Sequence, residues 1–306
     1  MSGTTARVVA QAKINLFLRV LARDASGYHQ LETLFCRLEL GDLVTVRVTS
    51  GPSSLDCAGP MLPAAGLGPV EQNLAWRAAA AFRAEANWPG GVAIEIDKRV
   101  PVGGGLGGGS ADAGAVLRAL NTLAPHPLPA ARVQAIAAGL GADVPFVASE
   151  HALAFGWGYG EQLEPLSALP PRDCWLFCLH EGVRTADAYR WLDESRAGRP
   201  ERHRSRADSL GVRLWTQVAQ LASNDFEAVV SPRVPRVGEV LQLLREPAGR
   251  APSGDSTIAL LCGSGSTVAC LPETAIRGDA PVATRAGERV VRTRTALRVA
   301  PVEWLE

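Results

Sequence analysis

The chain has 306 residues, is 47% hydrophobic and 20% charged, and so has the composition of a globular protein of one large or two ordinary domains. Its 31 Lys and Arg balance its 31 Asp and Glu, which argues against nucleic acid as the main partner. No run of about 18 apolar residues is present, so no membrane span is expected, and the first apolar stretch is broken by Lys13, Asn15 and Arg19, unlike a secretory leader.

Apolar and polar residues alternate over residues 7–22, which predicts a strand, followed by a turn at 24–27. Residues 31–40 and 43–48 read as two further strands parted by Gly41-Asp42, and 51–68 as a Pro/Gly loop. The alanine-rich stretch 73–87 predicts a helix closed by Trp88-Pro89-Gly90-Gly91, with a strand at 92–96 after it. A glycine segment then feeds a helix from Ser110 to Leu123, and a shorter helix covers 132–140. Strands are expected at 152–155 and 174–180, a helix at 185–193, a solvated charged loop at 199–206, and helices at 221–230 and 237–244. Two strands, 258–262 and 267–271, are joined by Gly263-Ser264-Gly265-Ser266, and the tail 288–302 alternates as strands do. Strands and helices without strict β-α-β alternation give an α+β fold class, with domains expected at 1–150 and 151–306. Six scattered cysteines without Cys-x-x-Cys spacing fit a reducing, cytoplasmic setting.

The most informative segment is Pro101-Val102-Gly103-Gly104-Gly105-Leu106-Gly107-Gly108-Gly109-Ser110-Ala111-Asp112, with six glycines in seven residues. Each glycine inside a helix or strand costs about 0.5–1 kcal/mol relative to alanine, so this is a loop that needs unusual backbone angles or close approach. Feeding a helix N-terminus, it presents unpaired N–H groups and the positive end of a helix dipole, which favour a phosphate. Gly103, Gly105 and Gly108 satisfy G-x-G-x-x-G, but the motif lies 100 residues in, with no acidic residue between 120 and 129, unlike a dinucleotide fold. No lysine precedes Ser110, which excludes a Walker A loop, and the segments of a protein kinase are missing.

This loop resembles the central phosphate loop of the GHMP small-molecule kinases. Ala12-Lys13-Ile14-Asn15-Leu16-Phe17-Leu18 resembles their N-terminal motif, and Leu261-Cys262-Gly263-Ser264-Gly265-Ser266-Thr267 their C-terminal one. Within that superfamily, the segments 27–35, 97–99, 141–146 and 223–226 resemble the kinases that act on 4-diphosphocytidyl-2-C-methyl-D-erythritol. The resemblance runs from about residue 9 to 272 and is weak between 195 and 215. It implies a two-domain GHMP-kinase-like fold with the active site in the cleft between domains. It also implies ATP- and Mg2+-dependent phosphorylation of the 2-hydroxyl of a cytidine-diphosphate-linked polyol in the non-mevalonate route to isoprenoid precursors. A kinase for homoserine or mevalonate, or a non-catalytic nucleotide-binding module, is the alternative.

Phosphoryl transfer needs positioning, charge neutralisation and a group that takes the hydroxyl proton. By resemblance Asp143 is that base and Lys13 its charge partner, a lysine that an apolar strand tolerates only if paired. The plain alternatives are a turn or cap for Asp143 and an edge position for Lys13. Pro101, Gly103, Gly104, Gly105, Leu106, Gly107, Gly108, Gly109 and Ser110 would hold the ATP phosphates, with Ser110 also capping the helix and reaching the magnesium shell. Asn73 and Lys98 match adenine-pocket positions, the alternatives being a helix cap and a solvated lysine. Tyr28 and His29 would stack on and hydrogen-bond the cytosine, a contact of about 1–3 kcal/mol, with Thr185 and Tyr189 as a second wall. Asn15 shares a strand face with Lys13 and would contact substrate. Gly263, Ser264 and Gly265 would face the substrate diphosphate or close the site. Two departures bear on the pocket: Tyr159 stands where an aliphatic residue is common, and Ser110-Ala111-Asp112 where Ser-Ser-Asp/Asn is. The partner is thus a small molecule, with no nucleic acid and no membrane, and the chain is expected to be a monomer or weak homodimer.

Overall fold

A computed structural model describes residues 4–24, 27–197, 212–246, 257–274, 278 and 280–305. The elements in order are β1 (Thr5–Arg23), β2 (His29–Thr49), β3 (Ser54–Ala58), α1 (Leu74–Glu85), β4 (Gly91–Asp97), α2 (Gly108–Leu123), α3 (Ala130–Leu140), α4 (Val144–Ala148), β5 (Leu153–Gly158) and β6 (Gln162–Leu166). They continue with β7 (Asp173–Cys178), α5 (Thr185–Arg196), α6 (Trp215–Leu221), β8 (Ser223–Asn224), α7 (Glu227–Val230), α8 (Pro235–Arg245), β9 (Ile258–Leu261), β10 (Val268–Leu271), β11 (Arg289–Arg294) and β12 (Val302–Leu305). The expected charged loop at 199–206 lies outside the described residues.

One sheet has the order β12-β1-β2-β4-β3, with β5 and β6 added to β2 and the short β8 added to β1; a second has the order β11-β7-β10-β9. Helices α1 to α4 cover the first sheet through a core that includes Val8, Val44, Ile94, Phe82, Leu117 and Phe146. Helices α5, α7 and α8 pack on the second sheet through Leu192, Val230, Val237 and Cys270, and Leu18 and Val20 of β1 join that core. β1 therefore reaches both layers, and the residues between its two ends face the junction of the sheets. The α+β class follows, and no helix among the described residues is long and apolar enough to cross a membrane.

Three expectations change. Gly41-Asp42 is not a turn: β2 runs straight through it, with Gly41 opposite Gln11 and Asp42 opposite Ala10. The glycine serves close approach, because a Cβ there would lie 2.7 Å from the Ala10 carbonyl oxygen. The Pro/Gly segment 51–68 contains β3, which pairs parallel with β4. The helix expected over 221–230 is interrupted, since Ser223-Asn224 pairs parallel with Phe17-Leu18 of β1. Asp225 explains the break: its backbone N–H donates to the Leu18 carbonyl at 3.0 Å, and its carboxylate accepts from Val20 N–H at 2.8 Å.

Candidate active site

The glycine segment leaves β4 and ends as α2 begins at Gly108. Gly103, Gly105 and Gly107 have φ of 77°, 81° and 70°, the left-handed region that residues with a Cβ avoid. Gly107 is the N-cap of α2, with no side-chain cap bond, so Ser110 does not cap the helix as expected but sits within its first turn. The N–H groups of Gly108, Gly109 and Ser110 have no acceptor inside the helix and sit at its positive end. Gly104 and Gly105 instead serve close packing against the turn between β9 and β10. A Cβ on Gly105 would stand 1.9 Å from the Cys262 carbonyl oxygen, and one on Gly104 2.2 Å from Thr267 Oγ1. Thr267 N–H donates to the Gly104 carbonyl at 3.3 Å. Asn224 holds the same turn, donating from Nδ2 to the carbonyls of Leu261 (2.8 Å) and Gly263 (2.7 Å).

A cleft of about 540 Å³ opens above this loop. Its lining includes Lys13, Asn15, Asn73, Lys98, Pro101, all of 103–110, Asp143, Thr185, Tyr189, Gly263 and Ser264. Residues from sequence positions 13 to 264 thus share one cavity, while Tyr28, His29 and Gly265 are not in its lining.

Lys13 and Asp143 meet there. Lys13 Nζ lies 3.1 Å from Asp143 Oδ2, with the lysine side chain 4% exposed and the aspartate side chain 30% exposed. Nζ also donates to Asn15 Oδ1 (2.8 Å); Asn15 Nδ2 donates to Thr33 Oγ1 (2.8 Å), and Thr33 Oγ1 to the Phe17 carbonyl (2.7 Å). This relay fixes the ammonium by bonds that end on the backbone. Register shifts between β1 and β2 flank it, at Gln11/Lys13 and Asn15/Phe17, as bulges do where side chains must be re-aimed. Lys13 also couples to the loop: its N–H donates to the Leu106 carbonyl (3.0 Å), and a Cβ on Gly107 would press within 2.9 Å of its Cε. Asp143 occupies the N-cap position of α4, yet its side chain makes no cap bond. Its carboxylate faces Lys13 and the cleft.

Arg37 positions α4 and was not legible as a site residue. It is 1% exposed, and its guanidinium donates to the carbonyls of Phe146 (2.8 Å), Val147 (3.0 Å), Ser149 (2.8 Å) and His151 (2.9 Å), tying down the C-terminal end of the helix that begins after Asp143. The only sequence signal was an arginine among apolar strand residues, Leu34-Phe35-Cys36-Arg37-Leu38. Arg37→Met leaves these carbonyls unpaired in the interior, and a stability loss of about 3 kcal/mol or more is expected. A lower urea midpoint at unchanged m-value checks it.

At the other end of the cleft, Tyr189 stacks on His29 (5.0 Å, 20°) and meets Phe226 edge-on (4.9 Å). His29 Nε2 lies 2.6 Å from Asp193 Oδ1. Tyr28 is 71% exposed and faces Tyr159 edge-on at 6.2 Å, and the Tyr159 hydroxyl bonds Asp24. Thr185 and Ser264 hydroxyls are 3.0 Å apart, joining α5 to the β9–β10 turn. Asn73 lines the cleft and also caps α1, accepting from Ala75 N–H at 2.9 Å. Lys98 is not solvated: it is 2% exposed and bonds the buried Asp42 and Asp112.

Residues 73–151 match the family described as GHMP kinases N terminal domain. A 4-diphosphocytidyl-2-C-methyl-D-erythritol kinase of Anaeromyxobacter dehalogenans (strain 2CP-C) is 41% identical over 263 residues, covering 85% of this chain and 78% of that protein. A crystal structure of 4-(cytidine 5'-diphospho)-2C-methyl-D-erythritol kinase superposes with a TM-score of 0.68 at 34% identity, over 94% of this chain and 98% of that one. Homoserine kinase from Cytophaga hutchinsonii shares the fold, with a TM-score of 0.63 at 15% identity over 98% of each chain. With the glycine loop, the N-terminal lysine and the C-terminal Gly-Ser-Gly turn gathered at one cleft, the chain belongs to the 4-diphosphocytidyl-2-C-methyl-D-erythritol kinase family of GHMP kinases.

Proposed function

We propose that this kinase transfers the γ-phosphoryl group of ATP to the 2-hydroxyl of 4-diphosphocytidyl-2-C-methyl-D-erythritol. One observation carries the reading: the Lys13–Asp143 pair and the glycine loop open into the same cleft and are joined through Lys13 itself. The loop N–H groups hold phosphate, since the left-handed glycines leave room for a polyanion against the backbone. Asp143 takes the proton of the attacking hydroxyl, and Lys13 offsets the charge that develops on the acceptor oxygen. Tyr189 and the His29–Tyr28 segment lie at the end of the cleft suited to the cytosine.

Among the described residues no three His, Cys, Asp or Glu side chains are grouped to hold a metal ion. That donor set fits Mg2+, which keeps several waters and binds through one or two side-chain oxygens together with substrate phosphates. Ser110, in the cleft lining, and Asp143 are the residues that would join its shell. The ion would neutralise phosphate charge.

The test is direct. Purified protein with ATP and magnesium should release ADP with the cytidine compound and not with homoserine or mevalonate; the reverse pattern refutes the assignment. Lys13→Met should lower kcat by about 10²–10³-fold, the scale of removing one preorganised donor, while the KM for ATP changes little.

A further inference from the structure

Asp42, Lys98 and Asp112 form a sealed charge cluster beside the glycine loop, with exposures of 0%, 2% and 3%. Lys98 Nζ donates to Asp42 Oδ2 and, at 2.6 Å, to Asp112 Oδ2. Asp42 Oδ1 accepts from Arg99 N–H (2.5 Å) and Val100 N–H (2.7 Å), the residues that lead into the loop. Asp112 stands in α2 just beyond the loop's other end. The cluster therefore bolts the entry stem of the loop to its exit stem. Lys98 and Asp112 both line the cleft, and Asp112 Oδ1 is buried with no hydrogen-bond partner.

The charges in this cluster do not balance, since one ammonium faces two carboxyl groups. Two carboxylates sharing one site cannot both ionise cheaply. Asp42 receives three donors and Asp112 one, so the proton belongs on Asp112. Burial first, then the charge of Asp42, pushes the Asp112 carboxyl up to about 8 against the pull of Lys98. Burial lowers Lys98, but Asp112 and Asp42 outweigh it and hold the ammonium above its ordinary value. The other titratable group facing the cluster is Cys57 of β3, whose thiol is raised by burial and then by Asp112.

We propose that Asp112 is a positioning residue for the phosphate donor: through Lys98 and Asp42 it pins the two stems of the glycine loop together and keeps the cluster electrically neutral beneath a bound polyanion. The proposal rests on the donor-site reading above. With the proton on Asp112 the cluster has no net charge; once the proton leaves, as pH rises through about 8, a net negative charge lies beneath the nucleotide phosphates. Nucleotide binding therefore favours the protonated form and takes up a proton at alkaline pH.

Calorimetry of ADP binding at pH 8.5, in two buffers of different ionisation enthalpy, reads this uptake. The wild type should take up about half a proton for a tenfold coupling, and its ADP affinity should fall several-fold between pH 7 and 9. Asp112→Asn should show no uptake and a flat affinity over that range, while Asp143→Asn keeps the wild-type behaviour. If Asp112→Asn does not fold, the wild-type and Asp143→Asn measurements decide: uptake in both supports the cluster, and its loss in Asp143→Asn overturns it. ADP binding without proton uptake in the wild type overturns this proposal alone. No ADP binding at any pH overturns the donor-site reading with it.

Discussion

Asp143→Asn is expected to lower kcat by about 10²–10⁴-fold while ADP affinity stays at the wild-type value, the loss typical of a removed general base. Asparagine keeps the shape and the bond from Lys13 but cannot accept a proton at neutral pH. The substitution is also a clean one. Asp143 makes no cap bond to α4, and its side chain is partly exposed, so the helix does not depend on the carboxylate. Lys13 keeps Asn15 as a partner, and the relay through Thr33 to the Phe17 carbonyl stays whole. Steady-state kinetics with the cytidine compound, set beside ADP binding by calorimetry, separates chemistry from affinity. Turnover within a few-fold of wild type would remove Asp143 from the role of base.

Gly105→Ala should destabilise the protein by about 2–5 kcal/mol, combining the left-handed backbone cost of about 1–2 kcal/mol with overpacking of about 1–3 kcal/mol. The added Cβ meets the Cys262 carbonyl oxygen, an atom of the backbone that no rotamer change can clear. For a chain of this size the melting temperature should drop by roughly 5–15 °C. The KM for ATP should rise as the loop leaves its phosphate-holding form. Gly103→Ala is the matched control: it has a similar φ of 77° but no atom within 4 Å of the new Cβ. It should cost only the backbone term. Equal melting temperatures for the two variants would mean that the contact with Cys262 carries no energy.

The chemistry-bearing residues were legible because their types are rare in their settings. Six glycines before a helix have few uses other than holding a ligand against the backbone, and a lysine in an apolar strand demands a partner. Their supports were not legible, because each is made by a distant contact. Asp42 looked like half of a turn, yet it is a buried carboxylate bonded to residues more than fifty positions away. Arg37 reads as one polar break in a strand until α4 is placed over it. Residues 221–230 have helical composition, but the edge of β1 competes for Ser223-Asn224 and wins through Asp225. Tyr28 and His29 were sought in the cleft itself, and the structure puts Tyr189 in its lining with His29 stacked on it.

The interlocking of the two glycine turns has a consequence for how such a chain can be altered. Gly104 and Gly105 are shaped to the Cys262 carbonyl and to Thr267, so the donor loop takes its form from a turn more than 150 residues downstream. A fragment ending before β9 would keep every phosphate-loop residue and lose the surface against which the loop is moulded. Exchange of segments between relatives is constrained in the same way. A transplanted 101–112 must arrive with a compatible 261–267, as two halves of one mould.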